Sequence, residues 1–123
     1  MNLSQLPALG ATLEGGIFAG LTTTKEGTHC AVVLLADKPE KLLTWKKAVA
    51  WADGIGAVLP TRPVAALLFA NAKDQFDPWW HWTSEEFDGS YAWGQGFGYG
   101  YQGNYLKSYE GRARAVRLIQ LTA

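Results

Sequence analysis

Residues that could perform acid–base or nucleophilic chemistry lie close together between His81 and Ser90. Ser84 and Ser90 are potential nucleophiles, His81 a potential base and Asp88 a potential orienting group. Sets of this kind also arise by chance, and His81 stands between two tryptophans in a β-prone segment. We therefore expect His81 to project from a strand, solvated or bonded to a neighbour, and we predict that the protein is not an enzyme.

Metal and thiol chemistry have few candidate residues. Glu85, Glu86 and Asp88 place three carboxylates of the kind that a hard cation takes, but a solvated acidic loop from Glu85 to Gly89 is the favoured interpretation. The single cysteine, Cys30, excludes an internal disulfide and a Cys-rich zinc site. It lies in an apolar run and is expected to be a buried core residue. No metal and no cofactor are predicted.

Aromatic residues and glycines dominate the chain from Trp79 to Tyr109. Between residues 91 and 101 large residues at odd positions alternate with small ones, four of them glycines, at even positions. An extended backbone would carry the rings on one face and almost nothing on the other. Tyrosine and tryptophan provide large contact area at low entropic cost, so the pattern is typical of a recognition surface.

The elements that position these residues follow from apolar periodicity. Residues 17–24 and 28–36 predict a β-hairpin whose second strand is covered on both faces. A helix is expected after Thr44, with Trp45, Ala48, Val49, Ala52 and Ile55 facing inward, and a second after Thr61, with Val64, Leu67, Leu68 and Phe76 facing inward. Asn71 lies on the same inward stripe and is expected to be a buried amide that bonds to backbone. Later strands are predicted at 79–84, 90–97, 101–105 and 112–121, the last inside the sheet.

Charge and hydropathy exclude several classes of partner. Eleven basic and eleven acidic residues give a formal net charge of zero, so nucleic acid is an unlikely partner, although a local patch at Arg112, Arg114 and Arg117 stays open. No segment is apolar enough for a membrane span or an export signal. We expect no membrane association, and a location in the cytoplasm of the producing cell or in a particle assembled there.

Five short motifs in order resemble the DUF1566 family. They are Leu43-Thr44-Trp45, Leu59-Pro60-Thr61, Trp80-His81-Trp82-Thr83-Ser84-Glu85, Tyr91-Ala92-Trp93 and Arg114-Ala115-Val116-Arg117. The family includes the C-terminal domain of the Legionella collagen-like adhesin and many small phage and prophage proteins. The resemblance implies an α+β, C-type lectin-like fold with two helices packed on antiparallel strands, as a single domain over 16–123 after an N-terminal segment, 1–15. Two departures stand out: Ala57-Val58 replaces Trp-Arg before Leu59, and Leu118 replaces a glycine after Arg117.

The same resemblance places a ligand face between Glu85 and Ser108. We predict contact residues at Tyr99, Tyr101, Gln102, Asn104 and Tyr105, with Asp88, Trp79 and Trp80 as lesser candidates, and core positions at Trp82, Tyr91, Trp93 and Phe97. The resemblance extends more distantly to formylglycine-generating enzymes, which depend on a pair of cysteines. Only Cys30 is present here, so we do not expect that enzymatic activity. The predicted function is a phage or prophage binding module for a protein or glycan, with a virion or tail as its expected location and a homo-oligomer as its expected state. The alternatives are a soluble inhibitor of a host protein or defence complex and, third, an enzyme.

Overall fold

Seven strands and two α-helices make an α+β fold within residues 1–122, which the computed structural model describes. The elements in chain order are β1 (Thr12–Leu13), β2 (Gly16–Thr23), β3 (His29–Leu35), α1 (Trp45–Gly54), α2 (Arg62–Ala72), β4 (Trp80–Glu86), β5 (Tyr91–Gly96), β6 (Gln102–Leu106) and β7 (Val116–Gln120). Short 3-10 turns occur at Leu3–Gln5 and Lys73–Gln75. The α+β class, the two helices and the antiparallel strands were all predicted, and all are confirmed.

The first sheet is antiparallel and has the order β1-β2-β3-β7. Residues Ala31–Leu35 of β3 are fully buried, as the continuous apolar run predicted, and Cys30 is buried with them. The segment 1–15, set apart from the domain in the prediction, supplies β1 to this sheet. The prediction that the last strand lies inside the sheet is wrong, because β7 is at the edge and only Val116 of its five residues is buried.

The second sheet is antiparallel and has the order β4-β5-β6. It carries most of the aromatic segment. Glu85 and Glu86 belong to β4, so the predicted acidic loop from Glu85 is wrong at its start. The turn that follows is fixed by Asp88, whose Oδ1 accepts the backbone N–H groups of Ser90 and Tyr91 at 2.8 and 2.9 Å.

Helices α1 and α2 begin where the predicted caps place them. Thr44 occupies the N-cap of α1, and Thr61 Oγ1 accepts the Val64 N–H at 3.4 Å at the start of α2. Val49 was predicted to face inward and is exposed, because the buried stripe of α1 runs through Ala48 and Ala52 and leaves Val49 on its flank. The Phe76 ring lies beyond the end of α2, past the 3-10 turn.

Side chains predicted as core divide into two groups. Trp82 and Phe97 are buried: Trp82 Nε1 donates to the Leu43 carbonyl at 2.8 Å, and Phe97 stacks on Phe76 with ring centroids 3.8 Å apart. Tyr91, by contrast, is 38% exposed at the start of β5, so its core assignment is wrong. Trp93 is half-buried. The two buried rings hold the second sheet against the helices and so fix the loop between β5 and β6.

Candidate functional site

The loop between β5 and β6 exposes two tyrosines. Tyr99 is 88% exposed and Tyr101 is 77% exposed, and their ring centroids are 6.5 Å apart. The loop closes by a hydrogen bond from Gly96 N–H to the Tyr101 carbonyl at 2.6 Å. We call residues 98–101 the tyrosine loop.

Helix α2 holds the tyrosine loop in place through Gly100. This residue has φ +86°, and a Cβ there would lie 2.8 Å from the Phe69 ring. Only glycine combines the left-handed backbone with this close approach. The contact fixes the base of the loop on a packed ring, while both tyrosine side chains remain in solvent.

A cleft of about 780 Å³ lies beside the tyrosine loop. The end of the β2–β3 hairpin, the first turn of α2 and the second sheet form its walls. Among the lining residues are Thr22, Thr23, Thr24, Thr61, Ser84 and Gln102, and Gly100 connects the cleft to the loop. The loop and the cleft together form the candidate binding surface.

A hydrogen-bond network fixes one wall of the cleft. Arg62 Nε donates to Gln102 Oε1 at 2.9 Å, and Gln102 Nε2 donates to the Arg62 carbonyl and to Gln95 Oε1, both at 2.8 Å. Glu85 Oε2 accepts the Arg62 backbone N–H at 2.7 Å, at the positive end of the α2 dipole. The Arg62 guanidinium lies over the Trp93 ring at 3.5 Å from its centroid. These interactions preorganise the wall, because they hold the side chains of Arg62, Gln102 and Glu85 in fixed orientations.

The cleft is electrostatically balanced. Its charged lining residues are Lys25 and Arg62, which are cationic, and Glu26 and Glu85, which are anionic. With equal charge of both signs and several hydroxyl and amide groups, the cleft favours a polar ligand without net charge. A lining of this kind offers hydrogen bonds and ring contacts to a ligand.

The predicted contact residues separate onto different faces. Tyr99 and Tyr101 are on the tyrosine loop and Gln102 lines the cleft. Asn104 is exposed on β6, two residues from Gln102 and therefore on the same face of the strand.

Tyr105 points to the opposite face of β6, where it meets Trp80. Their rings stack with centroids 3.9 Å apart and planes within 7°, and burial raises the pKa of the Tyr105 hydroxyl. Tyr105 and Trp80 therefore cover one ring face of each other and are partly buried, and their role as contact residues stays a prediction.

The two other lesser candidates lie apart from the cleft. Trp79 is 58% exposed and its ring lies 5.7 Å from the Arg112 guanidinium, while the Asp88 carboxylate is occupied by the turn N–H groups. Arg62, Gln95 and Glu85 are cleft residues that sequence reasoning missed. For Gln95 a signal existed, because it is the one polar residue among the alternating rings.

The arrangement that would be needed for nucleophilic catalysis is not assembled. His81 is buried, with Nδ1 3.0 Å from the Trp79 carbonyl, and it packs against Phe76 and Phe97 rather than against a serine. Burial lowers its pKa from 6.5 to about 4; the Trp79 hydrogen bond and Asp77 oppose this shift, and Arg114 and Arg112 add to it.

The three candidate metal ligands have separate protein partners. Glu85 caps α2, Glu86 pairs with Lys107 at 2.9 Å and Asp88 holds its turn. Over residues 1–122 no group of three His, Cys, Asp or Glu side chains is placed to hold a metal ion. In the same part of the chain, no helix has the length and apolar character needed to cross a membrane.

Comparison with protein-family models gives no match, and comparison with curated proteins finds no similar chain. Membership of the DUF1566 family therefore stays a prediction from the five motifs.

Proposed function

We propose that this protein is a non-enzymatic binding module that recognises a protein or glycan through the tyrosine loop and the adjoining cleft. One observation carries the proposal: two tyrosines, 88% and 77% exposed, stand on a fixed loop beside a cleft of about 780 Å³. Exposed rings of this size on a packed scaffold are typical of contact residues, because burying them on a partner gains apolar area at little rotamer cost.

The ligand class follows from the lining of the cleft. Amide, hydroxyl and guanidinium groups converge there, and the charges of Lys25, Glu26, Arg62 and Glu85 cancel. An uncharged sugar or an uncharged polar segment of a protein suits this lining, because it adds no net charge. Each offers hydroxyl or amide groups to the wall of the cleft and a flat surface to the tyrosine rings. We place the ligand between Tyr101 and the Arg62–Gln102 pair.

The motif resemblance supplies the biological setting of the proposal. A small phage or prophage domain of C-type lectin-like fold would use this surface on a virion or tail, or in solution as an inhibitor of a host protein or defence complex. The two-helix α+β architecture with antiparallel sheets is compatible with that fold.

The decisive experiment compares ligand capture by two matched variants. Tyr99→Ala/Tyr101→Ala removes both loop rings, and Tyr91→Ala/Tyr109→Ala removes two exposed rings outside the cleft. Each tagged protein is used on a glycan array and in affinity capture from infected or lysogenic cells, with purified virions assayed for the protein. We expect the first variant alone to lose the ligand.

The outcomes separate the candidate functions. Retention of the protein on virions supports a particle component, and a host protein captured while virions lack the chain supports the inhibitor. Equal capture by the loop variant and the wild type would show that the tyrosine loop is not the binding surface.

A further inference from the structure

A second, smaller pocket of about 280 Å³ lies on another part of the molecule. The loop after β3 forms one wall, and the segment leading into β7 forms the other. Reciprocal hydrogen bonds between Leu43 and Gly111, at 2.9 and 2.8 Å, hold these two walls together. The pocket shares no lining residue with the cleft.

Positive charge dominates the lining of this pocket. The cationic residues are Lys38, Lys41, Arg112 and Arg114, against Glu40 and Asp77. One acidic side chain is partly engaged, because Asp77 Oδ2 lies 3.5 Å from Arg112 Nε. The lining residues alone carry four positive and two negative charges, and Asp37, whose carboxylate also acts on Arg114, reduces the excess to one positive charge. The field of this charge on a small anion is strongest within a concave surface.

Arg114 is the most unusual of these residues because it is buried with hydrogen-bonding capacity to spare. It is 5% exposed; Nη2 donates to the Leu35 carbonyl at 2.9 Å and Nη1 donates to the Gln75 carbonyl. Its Nε is the one buried side-chain nitrogen or oxygen in residues 1–122 without a partner. A buried donor without an acceptor is destabilising, and an oxyanion in the pocket would offset this cost.

His81 lines the same pocket, and its pKa is sensitive to the charge of a ligand there. With Nδ1 donating to the Trp79 carbonyl, the neutral ring leaves Nε2 as an acceptor, and the pKa of about 4 keeps the ring neutral near pH 7. A bound anion favours the protonated ring. Anion binding is therefore expected to raise the pKa of His81.

We propose that this pocket is a binding site for a compact oxyanion, a phosphate or a carboxylate group, held by Arg114 and Arg112 and attracted by Lys38 and Lys41. The planar fork of arginine matches the oxygen geometry of both groups. About 280 Å³ accommodates such a group with a few waters, at roughly 30 Å³ per water. The proposal is independent of the tyrosine loop and of the function proposed for it.

The test uses inorganic phosphate and acetate as probes, with sodium chloride at equal ionic strength. NMR follows the Arg114 Nε–H and the His81 ring in the wild type. We expect saturable shifts of both signals with phosphate, acetate or both, a higher His81 pKa in the presence of the bound probe, and no saturable shift with chloride. Saturation by only one probe identifies which of the two groups the site takes.

Two matched variants provide the control and avoid disturbing the buried arginine. Lys38→Gln/Lys41→Gln removes two charges at the pocket rim, and Lys46→Gln/Lys47→Gln removes two exposed charges on α1, outside the pocket. At about 0.5 kcal/mol per surface charge, the rim variant is expected to bind about fivefold more weakly, with the α1 variant unchanged. Equal weakening in both variants, shifts that never saturate, or the same shifts with chloride would overturn the proposal.

Discussion

Replacement of Gly94 by alanine tests the packing that fixes the second sheet. Gly94 lies in β5 under the stacked rings of Trp80 and Tyr105, and a Cβ there would lie 2.8 Å from the Tyr105 ring and 3.0 Å from Trp80 Cε3. Trp80 has little room to move away, because it packs edge-on against the buried Trp82, with centroids 4.8 Å apart, and its far edge lies over Gly111. Tyr105 stacks on Trp80 on one ring face.

The expected loss of stability follows from two opposing effects. Forcing an extra methyl into a packed site costs about 1–3 kcal/mol. Replacing glycine by alanine also restricts the unfolded chain, which stabilises by about 0.4–1 kcal/mol. The net expectation for Gly94→Ala is a loss of about 1–2 kcal/mol in the free energy of unfolding. At about 4 °C per kcal/mol for a chain of this length, Tm falls by about 4–8 °C.

Urea and thermal unfolding, followed by tryptophan fluorescence, measure this effect. Gly89→Ala is the matched control, because a Cβ at Gly89 meets no atom within 4 Å. We expect the control to be more stable than the wild type by up to about 1 kcal/mol, because it carries only the effect on the unfolded chain. Removing the Tyr105 ring should also reduce the cost of Gly94→Ala, giving a non-additive double-mutant cycle. If Gly94→Ala is as stable as Gly89→Ala, the close packing of the rings on β5 is refuted.

Four further outcomes are expected. Gln102→Ala should cost about 1–3 kcal/mol in urea unfolding, because it leaves the amide oxygen of Gln95, which is 1% exposed, without its donor; an unchanged midpoint would contradict the network. Between pH 6.5 and about 4, His81 binds more protons in the unfolded state than in the folded state, so the free energy of unfolding falls as the pH falls through this window, by up to about 3 kcal/mol. Unfolding curves of His81→Gln should lack this component. Identical pH dependence of the two proteins would refute the assignment of this effect to His81. Tyr99→Ala/Tyr101→Ala should change the free energy of unfolding by less than about 0.5 kcal/mol, since both rings are exposed. Light scattering should show a homo-oligomer that this double variant weakens, whereas a strict monomer at high concentration would count against self-association.

Local order in the chain was predictable from the sequence. The helix starts at Thr44 and Thr61, and the hairpin of β2 and β3, follow from capping residues and apolar spacing. Asn71 was predicted to be a buried amide bonded to backbone: the bond is confirmed, since its Nδ2 donates to the Ala19 carbonyl at 2.8 Å, but the residue is exposed. The helix starts and the hairpin depend mainly on residues within a few positions of one another or on one face of a helix.

The candidate site was only partly predictable because its walls come from distant parts of the chain. The tyrosine loop could be predicted from the sequence, because Tyr99 and Tyr101 alternate with glycines there. The Arg62–Gln102 contact could not, because it joins residues forty positions apart. The pocket around Arg114 likewise depends on Leu35, which lies 79 positions away. No local pattern indicates that such residues meet.

The alternation of rings and small residues is a feature that the sequence determined in part and the tertiary structure completed. By itself, the sequence determined that large residues occupy alternate positions between residues 91 and 101. Wherever this segment is extended, these residues therefore lie on one face of the backbone. Only the tertiary structure decided which of these groups are exposed and which are covered. It covered Tyr105 with Trp80 over Gly94, and it held the tyrosine loop against Phe69 through Gly100, with Tyr99 and Tyr101 in solvent. The physical reason is that exposure depends on what other segments pack against a ring, and those segments are set by the whole fold.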